Sequence, residues 1–204
     1  MRRESVSILH LLLAAVVCLS PLVVGGQKPN TSVPSNEATA IAKKYLGTIE
    51  KAQSFSSTDG GNQDAIFIGQ SLSPPHGWRT VVVSDRGKPR LLWDSFAQHD
   101  EYLDVTGLSS INAEAYDHNG YIVTWRGCVP HQCSDGRIGF ALYASQSHQT
   151  YRAHVSTLDD NSYHVIYFPK SGIPNEYRKK LDEMMCSDNG ISRPAALPIK
   201  CSAQ

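Results

Sequence analysis

Residues 121–144, YIVTWRGCVPHQCSDGRIGFALYA, constrain this chain more than any other stretch. Tyr121, Val123 and Trp125 alternate with Ile122, Thr124 and Arg126. Further on, Ile138, Phe140, Leu142 and Ala144 alternate with Arg137, Gly139, Ala141 and Tyr143. A period of two is the strand signal, because successive side chains leave a strand on opposite faces. Between the strands, Cys128 and Cys133 bracket Val129, Pro130, His131 and Gln132. A disulfide joining them would stiffen a loop that already contains a φ-fixed proline, and would set one imidazole near its tip.

The first 26 residues read as a secretory signal peptide: Arg2 and Arg3, then the apolar run 11–19, then small residues before Gln27, with cleavage expected after Gly26. Pro21 breaks the apolar run, which is short for a membrane span. Val16 and Val17 precede Cys18 where a lipid-attachment site wants small residues, so no membrane anchor is expected. Export to the periplasm or medium follows.

The remaining 178 residues carry 17 basic and 18 acidic side chains. This balance, with no basic cluster, argues against nucleic-acid and membrane-surface partners. The length suits one domain over residues 35–204, after a flexible leader at 27–34. Four cysteines stay after cleavage, and an even number in an exported chain argues for two disulfides. Of three pairings the local one is expected, Cys128 with Cys133 and Cys186 with Cys201. By loop entropy the smaller ring is worth only about 2 kcal/mol. Shaping its own loop is the better reason for it.

Ser35 is a helix cap, and Ala38, Ile41, Ala42, Tyr45, Leu46 and Ile49 form one helical stripe, predicting a helix to about Ala52. Residues 54–63 read as a loop. Short strands are predicted at 65–68, 80–83 and 90–93, and residues 95–103 suggest a helical turn. From Ala113 the strand signals crowd into an antiparallel meander through 150–156 and 163–168, and a second helix is predicted at 175–185. The tail from Ser187 reads as a loop tied back through Cys201. The class is α+β: an antiparallel sheet with flanking helices.

The loop Cys128-Val129-Pro130-His131-Gln132-Cys133, followed by Arg137-Ile138 and a strand, resembles the signature of the Ivy family, inhibitors of vertebrate C-type lysozyme. The resemblance covers roughly Gly120 to Thr157, within an Ivy-like core of about residues 113–168. Val129 stands where the family has lysine, and Gln132 where it has aspartate. Membership would imply a periplasmic or secreted inhibitor and no enzyme. Its loop would enter the cleft of a C-type lysozyme or a related peptidoglycan-cleaving glycosidase, with His131 meeting the catalytic carboxyls. Glycosidase carboxyls stand about 5–9 Å apart, and an imidazole offers both a donor and an acceptor to them.

Other classes fit less well. A thiol-disulfide oxidoreductase wants two residues between its cysteines, not four. Zinc on Cys128, His131 and Cys133 lacks a placed fourth ligand, and export favours disulfides, so no metal and no cofactor is expected. No Gly-x-Ser-x-Gly or comparable nucleophile motif marks a hydrolase. His76, His99, His118, His148, His154 and His164 show no partner spacing and read mostly as solvated. The stronger rival is a non-inhibitory envelope binding protein of the same fold. Nothing in the sequence excludes a homodimer.

Overall fold

The computed structural model describes residues 29–57, 63–74, 77–98, 111–116, 120–128 and 137–201. Two five-stranded antiparallel sheets stack face to face, each a simple up-and-down meander, with one helix on each outer face. The first sheet runs in chain order: β1 (Asn30–Ser32), β2 (Lys51–Ser56), β3 (Gln63–Gln70), β4 (Trp78–Ser84) and β5 (Leu91–Asp94). The second comprises β6 (Ile111–Tyr116), β7 (Gly120–Cys128), β8 (Ile138–Ala144), β9 (Gln149–Thr157) and β10 (Tyr163–Phe168). The α+β class and the meander are as the sequence indicates, with the strands divided between two sheets.

The pleat explains the layering. In β3, Ala65 and Phe67 face outward against helix α1 (Asn36–Ala42), while Ile66 and Ile68 face the second sheet. In β7, Tyr121, Val123 and Trp125 meet that inner face, and Ile122 and Cys128 turn toward helix α2 (Asn175–Cys186). The central strands, β3 and β8, are apolar on both faces, and β8 is buried along its whole length. Tyr177, Leu181 and Met185 form the stripe by which α2 covers the sheet. Among the described residues, no helix is long and apolar enough to cross a membrane.

Three sequence expectations are corrected. Helix α1 begins as read, with the Ser35 side chain accepting from the Ala38 amide at 3.1 Å, but stops at Ala42 instead of Ala52. Gly47, Thr48 and Ile49 are poor helix formers, and the backbone there pairs with the end of β3. Leu46 bridges Ser71, and the Gly47 amide donates to the Gln70 carbonyl at 2.8 Å. The predicted stripe nonetheless packs in one core, since Tyr45, Leu46 and Ile49 join Ala38, Ile41 and Ala42. Second, the stretch read as the end of that helix and the start of a loop forms β2. Third, the leader contributes β1, an edge strand whose three residues are all exposed and which pairs through backbone alone.

After α2 the tail returns beneath the second sheet. Ile191 and Leu197 enter the core, and the Cys186–Cys201 disulfide ties the segment to the helix end. That pairing is as expected.

Candidate functional site

The two strands of the cysteine-bounded loop are paired to their ends, with Gly127 opposite Gly139 and Cys128 opposite Ile138. Cys128 is 3% exposed and disulfide-bonded, and packs in the α2-side core with Ile138. Val129, Pro130, His131, Gln132 and Cys133 lie outside the described residues, as do His76, His99 and His118. What the structure shows is the pair of strand ends, Cys128 and Ile138, on either side of that segment.

These strand ends have a brace invisible to strand periodicity. Arg126 points to the α2 side and holds Asp188 with two contacts, Nε to Oδ2 at 2.5 Å and Nη2 to Oδ1 at 3.1 Å. The Gly190 amide donates to the same Oδ1 at 2.8 Å. A Cβ on Gly190 would come within 2.6 Å of Arg126 Nη2 and 2.8 Å of the end of the Ile138 side chain, so any larger residue here must push those side-chain ends aside. The post-helix turn thus clamps both strands two residues below the loop. Arg126 stands beside the motif in sequence, but its partner is 62 residues away.

At the other end of β7 lies a second constellation. Asp64, at the start of β3, is 2% exposed and points at the second sheet. Tyr143 donates to its Oδ2 at 2.7 Å, and Tyr121 lies 3.1 Å from the same oxygen. Tyr121 also reaches the Phe55 carbonyl at 2.9 Å. His148 closes the group, with Nδ1 2.8 Å from the Tyr143 hydroxyl and 3.7 Å from Asp64 Oδ2. His148 sits in the turn before β9 with φ 52°, a left-handed conformation uncommon outside glycine, and keeps about a third of its side chain exposed.

Burial pushes the Asp64 carboxyl above its ordinary range. The Tyr143 hydrogen bond, a charged His148 and the Tyr121 hydrogen bond oppose that, while Asp85 across the sheet adds to it. Both phenols are pushed up as well, by burial first and then by the Asp64 charge.

The histidine reading needs two corrections. His148 is bonded into this cluster, and His154 is buried with its ring 4.8 Å from that of Phe168. His164 is exposed as expected. Among the described residues, no group of three or more His, Cys, Asp or Glu side chains is placed to hold a metal ion. No family model, no curated protein and no solved structure matches this chain.

Proposed function

We propose that this chain is an exported inhibitor of a peptidoglycan-cleaving glycosidase of the C-type lysozyme kind. It would act through residues 128–133, with His131 meeting the carboxyl pair of the target cleft. The sequence of that loop, flanked by β7 and β8 and followed by Arg137-Ile138, carries the reading. In its favour, the strands that present the loop are buried and fully paired, and the Arg126–Asp188 brace fixes their ends. A preformed support reduces the ordering cost of binding, which is how a short loop reaches useful affinity.

A fully desolvated central contact typically costs at least 2 kcal/mol when truncated, which corresponds to roughly thirtyfold in affinity. His131→Ala is therefore expected to weaken inhibition by about thirtyfold or more, with thermal stability nearly unchanged. Inhibition assays of mature oxidised protein against C-type, G-type and I-type lysozymes, paired with calorimetric titration, measure this. Affinity undiminished in His131→Ala would remove the loop as the inhibitory element.

Val129 and Gln132 favour a second reading, a binding protein of the same frame whose target is no lysozyme. Gln132 hydrogen-bonds without charge, so it cannot pair with a basic cleft residue as aspartate would. Inhibition of none of the three lysozyme classes by oxidised protein would select this reading. Thiol exchange is disfavoured by the burial of Cys128, whereas reactive cysteines are accessible.

A further inference from the structure

We propose that Asp64, Tyr121, Tyr143 and His148 form a pH-sensitive clasp between the two sheets, closed most tightly while Asp64 carries a proton. The cluster is independent of the loop. Seven residue steps along β7 separate Tyr121 from Cys128, about 23 Å at strand rise.

The argument begins with a proton inventory. Tyr143 spends its one hydroxyl proton on Asp64 Oδ2, which leaves its oxygen to accept from His148 Nδ1–H. Tyr121 also has one proton but faces two acceptors, the Phe55 carbonyl and Asp64 Oδ2. With Asp64 ionised those acceptors compete for it. With Asp64 protonated, the acid proton goes to the Tyr121 oxygen and the Tyr121 proton goes to Phe55, so each contact has its own hydrogen. These bonds join strands β2 and β3 of one sheet to β7 and β8 of the other.

The charges around Asp64 give the sense of the response. On the α1 side, behind its own sheet, Asp85 is held by Ser35 and Ser54 and is the weakest of the influences that disfavour the Asp64 charge. From the second sheet Asp64 faces two neutral phenols. From the β8–β9 turn it faces His148, the cation of the group when protonated. As pH rises, Asp64 becomes a buried carboxylate between two phenols that cannot neutralise it, and burying a charge is costly. Because the folded-state pKa lies above the unfolded one, the folded protein holds more protons. The stability from this group is complete below the ordinary aspartate range, near 3.9, and is lost as pH rises through the folded value.

The test compares wild type, Asp64→Asn and His148→Gln by urea unfolding from pH 4 to 8.5, with the Asp64 carboxyl followed by carbon NMR in wild type. The difference between the wild-type and Asp64→Asn curves is expected to fall with rising pH. The wild-type unfolding constant should grow about tenfold, relative to Asp64→Asn, for each unit by which Asp64 is displaced. His148→Gln should carry the decline to higher pH, because the cation that favours ionised Asp64 is gone. The NMR titration of Asp64 should fall above 3.9. Parallel stability curves, or an Asp64 that titrates at or below 3.9, would overturn the clasp. The NMR reading stands even where Asp64→Asn fails to fold.

Discussion

Tyr121 and Tyr143 sit two residues apart in cross-strand register on one face of the second sheet, so both hydroxyls reach a single carboxyl. Neither phenol can ionise there without placing a second negative charge beside Asp64. Their pKa values are raised in the folded state, so their contribution to stability is complete below about pH 10 and is lost as pH rises beyond it. In an alkaline titration, tyrosinate absorbance from this pair is expected to appear together with loss of the native circular dichroism. Ionisation of all nine tyrosines near pH 10 with the dichroism intact would show that water reaches the cluster. The constellation was not legible in the sequence. Asp64 and Tyr143 are 79 residues apart, and no local spacing signals a carboxyl that crosses from one sheet to another. What was legible was that Tyr121 and Tyr143 belong to the inward-facing set.

At the level of elements, legibility followed how much of each pairing is written in side chains. Strands β7 to β10 and α2 bury an apolar face, so period two and the helical stripe located them to within a few residues. Strand β2 (KAQSFS) buries only Ser54 and Phe55, and β1 buries nothing, so both depend on backbone pairing that leaves no pattern. Helix α1 misled because one apolar stripe serves a helix, a turn and a bridge in succession. The brace beneath the loop was equally hidden, although a glycine lies close against it. Gly190→Ala sets a methyl group against the side-chain ends of Arg126 and Ile138, which must shift to admit it, so the cost falls at the low end of overpacking, about 1 kcal/mol. It is expected to lower the urea midpoint and, on the proposed function, to weaken target binding by loosening the β7–β8 ends. Asp188→Ala should act in the same direction, since it leaves the half-buried Arg126 guanidinium without its partner. An unchanged midpoint in both variants would show that the tail does not support the strands.

Across the whole molecule, the central layer decides whether the chain unfolds in one step or two. Phe55, Ile66, Ile68 and Val82 from the first sheet interlock with Tyr121, Val123, Trp125, Ala141 and Tyr143 from the second, and Trp93 packs edge-on to Trp125 at 6.0 Å. Detaching either sheet would expose this set to water at about 25 cal/mol per Å² of apolar surface, more than its single covering helix could offset. The α1 side is the weaker flank, because that helix has only seven residues and isolated helices of such length are not stable. The first sheet therefore holds its shape by leaning on the second. Unfolding is expected to be a single transition, with tryptophan fluorescence and far-ultraviolet dichroism giving the same urea midpoint. Val82→Ala removes two methyl groups from the first sheet's share of the central layer, and large-to-small changes of this kind cost on the order of 1–3 kcal/mol. Both probes should shift together in that variant. If the dichroism of the second sheet and α2 survives at a urea concentration where the first sheet has melted, the two sheets are separate folding units and the clasp at Asp64 joins layers that are already independent.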